Sequence, residues 1–175
     1  CALPIFSVLL LIPIAELLIA FLDGGKLSSI RVPLVVGGLI YIAIIGAFVA
    51  AVCGYMAALI GASNSPVSGL GILTVLGAAL LLSVLAGPSL VGEAGTELAA
   101  YALFVTGVVF CIATIANDNL QDLKTGQLVG ATPAKQQIAL VIGATAGALV
   151  IPPILDLLNQ AYGFAGAVRP DGSMP

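Results

Sequence analysis

From Val32 to Gly92 the chain carries no charged side chain. A stretch of that length cannot pass repeatedly through water on the surface of a small soluble domain. Enclosing it as two wholly buried helices would need far more surrounding protein than so short a chain provides. Two membrane passes joined by a tight uncharged connection account for it, because lipid takes the place of the missing polar surface. Composition agrees. The 175 residues are 61% hydrophobic and 7% charged, with a mean hydropathy of +1.23, against about 45–50% apolar and about 25% charged in ordinary soluble domains.

Five apolar segments are long enough for about 20 helical residues each, the length that crosses a bilayer. They cover residues 3–22, 32–61, 66–86, 98–116 and 132–158. The first ends at Asp23-Gly24-Gly25-Lys26, the third at Gly87-Pro88, and the fifth opens at Thr132-Pro133. None alternates as a barrel strand does. The expectation is an all-α polytopic bundle of five spans. A broken or re-entrant region is expected near residues 54–66, and a polar loop over residues 117–135. Chain opening inside an apolar run, without an initiator methionine, suggests a fragment of a longer protein.

Small residues recur four apart at Ala47/Ala51, Ala50/Gly54 and Gly143/Gly147, spacing that lets membrane helices approach closely. Orientation is not decided by charge, since Lys26, Arg31 and Arg169 on one side face Lys124 and Lys135 on the other. Histidine is absent, which removes the usual zinc sites. Cys1, Cys53 and Cys111 are far apart and read as apolar packing residues with no inferable disulfide. No basic patch suggests nucleic acid. The expectation is therefore no catalytic residue, no metal site and no cofactor.

Three features can carry chemistry. A continuous helix from Val32 to Ala62 would run about 46 Å at 1.5 Å per residue, against a hydrocarbon core about 30 Å thick. Gly54 and Gly61 are the places to break it. Ser65-Pro66 reads as an N-cap and first-turn pair for the next helix, whose positive end would face Ser63, Asn64 and Ser68. Interrupted helices in transporters present such ends to anionic groups; an ordinary surface turn is the plain alternative. The second feature is the run over residues 117–127, where Asp118 and Asp122 share a helical face beside Gln121 and Lys124. It suits a bound cation, a proton relay, a polar substrate, or simply a solvated loop. Third, Glu16 stands inside the first apolar segment, where an ionisable group is a functional candidate unless it snorkels towards water.

Two stretches resemble the oligopeptide transporter (OPT) superfamily, which includes the yellow stripe-like metal-chelate carriers. They are GYMAALIGASNSPVSG at residues 54–69 and QDLKTGQLVGATP at residues 121–133, followed by Lys135-Gln136-Gln137. The resemblance runs from about residue 3 to Tyr162. It implies a membrane carrier larger than this chain, in the plasma or prokaryotic inner membrane, moving small peptides or peptide-like metal chelates with protons. On that reading Tyr55, Ser63, Asn64, Ser65, Ser68 and Gly69 are substrate-path candidates. Glu16, Asp118, Gln121, Asp122 and Lys124 become coupling or gating candidates. The lipid bilayer, protons and the remaining spans of the same transporter are the expected partners. Two other classes compete. A membrane-embedded metal-dependent transferase would use Asp118 and Asp122, but their spacing is four rather than three and Gly126 stands where a third aspartate belongs. A channel or structural membrane subunit would need a pore ring.

Overall fold

The computed structural model describes residues 3–87 and 92–163, with side chains of the first helix described from residue 11. Cys1, Pro88 and Arg169 of the sequence expectations lie outside the described residues. Five α-helices follow one another: α1 (Leu3–Leu22), α2 (Arg31–Ile60), α3 (Val67–Ala86), α4 (Glu93–Val129) and α5 (Pro133–Tyr162). Short 3-10 turns over Ser28–Ile30 and Ala62–Asn64 flank α2. No strand occurs among the described residues. Four helical stretches are long and apolar enough to cross a membrane: Ser28–Ile60, Val67–Ala86, Glu93–Val129 and Pro133–Tyr162. α1 is apolar as well, its part with described side chains, Leu11–Leu22, being shorter.

The chain forms two compact units, Cys1–Gln121 and Asp122–Pro175, with α4 passing from one into the other. In the first unit α2 is the central helix. Its Leu34, Ile42, Val49 and Cys53 are buried together with Leu18 and Leu22 of α1, Ala78 and Leu82 of α3, and Tyr101, Val105 and Val109 of α4. α3 returns antiparallel to α2: Ser65 reaches Cys53, the Tyr41 hydroxyl donates to the Thr74 carbonyl at 2.7 Å, and Leu85 lies over Gly37. α4 runs parallel to α2. Along this seam Tyr101 meets Gly38, Ile112 meets Gly46 and Leu120 meets Gly54, and the Tyr101 hydroxyl donates to the Leu34 carbonyl at 3.2 Å.

Glycine makes the seam possible. A Cβ on Gly38 would lie 3.0 Å from Tyr101 Oη, one on Gly46 3.1 Å from Ile112 Cδ1, and one on Gly54 2.7 Å from Leu120 Cδ1. Among lipid-soluble side chains there is no hydrophobic preference for helix contact, so close backbone approach supplies the attraction. The repeat is eight residues rather than four. Ala47 and Ala51 are exposed instead. At one end of this unit the Glu97 carboxylate accepts the Lys26 backbone N–H at 2.9 Å, Lys26 Nζ pairs with Glu93, and Arg31 pairs with Asp23 at 3.3 Å. α2 and α3 carry no other charge, so these ion pairs mark a polar end of an apolar bundle.

Several boundaries correct the sequence reading. α2 runs unbroken through Gly54 and ends at Ile60, inside the region where an interruption was expected and at the second of the two glycines named for it, Gly61, which turns to φ 88° and donates to the Ala57 carbonyl. α3 opens at Val67, with Pro66 one residue outside it and its carbonyl accepting the first helical bond from Leu70 at 3.0 Å. The largest difference lies in the fourth segment, which spans 37 residues to Val129. Residues 117–129 are thus helix, and the expected loop shrinks to the turn over residues 130–132. Asp118, Gln121, Asp122, Lys124 and Gln127 are polar but have nothing against a helix, and four-residue spacing places them on neighbouring turns. Polarity marked the approach of water, not the end of the helix.

In the second unit α4 ends in a Schellman arrangement. Gly130 adopts φ 72° and the Ala131 N–H donates back to the Gly126 carbonyl at 2.8 Å. Thr132 then precedes Pro133, the first residue of α5. The Gln136 amide lies against Gly126 and donates from Nε2 to the Asp122 carbonyl at 3.3 Å. Gly130→Ala should lower the stability of this helical hairpin by about 1 kcal/mol, because a Cβ is penalised in the left-handed region. A melting curve of the full-length protein in detergent measures this. α5 carries Pro152 and Pro153 inside it and continues to Tyr162, four residues past the expected limit at Leu158, closed by a Gly163 N–H bond to the Asn159 carbonyl at 2.9 Å. Two lost donors leave the rest of its bond ladder in place.

Candidate functional site

The α2–α3 turn carries most of the substrate-path candidates. Ser63 and Asn64 are exposed, on the 3-10 turn that follows Gly61. Asn64 Nδ2 donates to the Ile60 carbonyl at 3.4 Å, covering one of the acceptors that the end of α2 leaves open. Ser65 is half-buried and leans back onto α2, its hydroxyl donating to the Cys53 carbonyl at 3.4 Å. It does not cap α3, contrary to the reading of the Ser-Pro pair. Among the described residues no side chain caps α3, which leaves the first-turn N–H groups and the positive end of the helix dipole beside Asn64. Ser68 and Gly69 of that first turn are exposed, and a Cβ on Gly69 would meet nothing within 4 Å. Tyr55 is 64% exposed on α2 before the turn. Chain continuity thus gathers Ser63, Asn64, Ser65, Ser68 and Gly69 at one tip, with Tyr55 lower on α2.

The coupling and gating candidates are dispersed. Glu16 is exposed on α1, two residues and about 200° from the buried Leu18. Asp118, Gln121, Asp122 and Lys124 all lie on α4 and are exposed. Lys124 Nζ donates to Gln127 Oε1 at 3.2 Å, and the Asp122 carbonyl, not its carboxylate, receives Gln136. No three His, Cys, Asp or Glu side chains come together among the described residues. Cys53 is buried and Cys111 exposed, and both are free thiols.

Sequence reasoning passed over Asn117. It is only 6% exposed, and its Oδ1 has no hydrogen-bond partner among the described residues. Ala116 and Leu120, on either side of it, press on Gly54, and the neighbouring Cys53 carries the Ser65 contact. A buried amide beside the turn was legible only as part of a polar run. Its burial depends on the α2–α4 seam, which no local pattern announces.

Apolar helices of membrane-crossing length, with outer faces of Val36, Ile40, Ile44 and Phe48, define an integral membrane protein. The chain belongs to the OPT oligopeptide transporter family, whose sequence profile matches residues 3–175. A Haemophilus influenzae protein, provisionally named an oligopeptide transporter, is 53% identical over 131 residues. That match covers 73% of this chain and 21% of the relative, so the chain spans about a fifth of the curated protein it resembles. No solved structure matches it.

Proposed function

We propose that this chain is part of a secondary carrier that moves small peptides, or peptide-like metal chelates, across the plasma or inner membrane together with protons. It acts by binding and conformational change and performs no covalent chemistry. The observation that supports this most is family membership across nearly the whole chain, with the relative's name pointing to oligopeptides. The α2–α3 turn suits the task. An open helix N-terminus favours a carboxylate such as a peptide C-terminus, and the Asn64 amide and Ser63 hydroxyl offer hydrogen bonds of both senses. Glu16, Asp118 and Asp122 are the carboxyl groups available to proton coupling. Gln121 and Lys124 would act with them in gating. The remaining spans of the longer protein would close the cavity around the turn.

The test uses the full-length protein in proteoliposomes. Labelled trialanine should accumulate when the outside is made acidic, and a protonophore should abolish the accumulation. Equal uptake with and without the gradient removes proton coupling. Uptake no faster than in empty vesicles removes the carrier reading.

A further inference from the structure

Among the described residues of the first unit, Asn117 Oδ1 alone is a buried side-chain polar atom without a hydrogen-bond partner. It closes a buried row on α4, in which Val105, Val109 and Ala113 precede it at four-residue steps. Residues so spaced form one ridge of a helix, and the three apolar ones belong to the core. A fourth apolar residue would complete the row. An amide stands there instead, with an acceptor that the bundle does not use. An unpaired acceptor in a dry interior lowers stability, and departures of this kind gather at working sites.

Two independent registers put Asn117 level with the α2–α3 turn. On α2, Gly54 meets Ala116 and Leu120, which lie on either side of Asn117. Ser65 returns to the carbonyl of Cys53, the residue before Gly54. On α3, a Cβ at Gly71 would lie 2.6 Å from Phe110 Cε2. α3 runs opposite to α4, so the seven residues from Phe110 on to Asn117 match the seven from Gly71 back to Asn64. Both routes lead to the tip where, among the described residues, no side chain caps α3. The first-turn N–H groups of α3 suit an anion, whereas Asn117 Oδ1 takes only a donor. A peptide with free termini carries one of each. Neighbouring helices pack with axes about 8–10 Å apart, and a peptide of two or three residues extends about 7–10 Å.

We propose that Asn117 is a specificity-determining residue of the substrate path, its Oδ1 accepting a hydrogen bond from the ammonium group of a short peptide whose carboxylate sits at the first turn of α3. The inference rests on the carrier reading and narrows its substrate to di- and tripeptides with both termini free. An ammonium N–H meeting a carbonyl oxygen makes a charge-assisted bond, stronger than one between neutral groups. Oδ1 is closed to water in this structure. The amine therefore enters as Ser65 releases the Cys53 carbonyl, a bond already long at 3.4 Å.

Asn117→Leu tests this, because it keeps a branched side chain and removes the unpaired acceptor. The full-length variant should melt no lower than the wild type in detergent. Its selectivity should change instead. In proteoliposomes the wild type should take up trialanine with a KM about tenfold below that for N-acetyl-trialanine, which lacks the ammonium group. Asn117→Leu should raise the trialanine KM about tenfold and leave the N-acetyl-trialanine KM nearly unchanged, so that the preference disappears. Should Asn117→Leu overpack and fail to fold, Asn117→Ala carries the same comparison. A wild type indifferent to acetylation, or a folded variant that keeps the preference, overturns the proposal. Loss of both variants from the membrane makes Asn117 a structural amide and overturns it too. If the wild type accumulates neither peptide, the carrier reading fails and melting reads the site alone. Trialanine that then raises the melting temperature of the wild type but not of the variant supports the site; a rise in neither, or in both alike, overturns it.

Discussion

Gly54→Leu should destabilise the protein more than any other single change in the α2–α4 seam. The obstacle is partly rigid. A Cβ at this position would lie 2.7 Å from Leu120 Cδ1, which can rotate away, and 3.3 Å from the Ala116 carbonyl oxygen, which cannot. Three further carbons must then enter a seam where Gly54 itself is buried, as are Cys53 and Ala57 on the same helix. Overpacking of a filled core costs about 1–3 kcal/mol. The seam has close approaches at Gly46 and Gly38 as well, so a local wedge is transmitted along two rigid helices. Gly54→Ala should have a smaller effect. Adding Leu120→Ala to Gly54→Leu should recover part of the loss, a coupling of about 0.5–3 kcal/mol for residues in contact. Thermal unfolding of the full-length protein in detergent reads all three. Wild-type melting of Gly54→Leu would mean that α2 and α4 are not packed along this line.

The fold was largely legible because its elements end at glycine. Gly61, Gly87, Gly130 and Gly163 all take positive φ at helix ends, a conformation available to few other residues. Apolar runs located the helices, and Gly61 and Gly87 located the ends of α2 and α3, while Gly130 and Gly163 close α4 and α5 beyond the limits read from the sequence. The error at α4 has the opposite origin. Asp118 and Asp122 mark where the helix meets water, and a helix continues through water whenever its residues permit. Pro152 and Pro153 likewise leave α5 unbroken. Each removes one bond from a ladder of 30 residues, which is short of ending it.

The site was legible as chemistry and not as geometry. The Ser63-Asn64-Ser65-Pro66 segment announces a polar turn, and a turn is there. Ser65 could not be assigned locally, since its hydroxyl chooses between the first turn of α3 and a carbonyl twelve residues back, and it takes the Cys53 carbonyl. Packing between distant segments also decides that Asn117 is buried while Asp118, the next residue, is exposed. The glycines at positions 38, 46 and 54 needed α4 before their spacing meant anything.

Asn64→Ala should lower transport about tenfold or more, the consequence of leaving a partner group unpaired in a dry cavity at about 1–3 kcal/mol. Its effect on folding should be slight. Asn64 is exposed and its side chain makes one long bond among the described residues, to the Ile60 carbonyl, so membrane insertion and abundance should match the wild type. That separation makes the substitution informative about the central claim, that the α2–α3 turn lines the substrate path. The measurement is initial trialanine uptake by full-length Asn64→Ala and wild-type protein at matched amounts in the same vesicles. The account predicts uptake reduced about tenfold or more with unchanged protein level; uptake equal to wild type, or reduced only in proportion to lost protein, would contradict it.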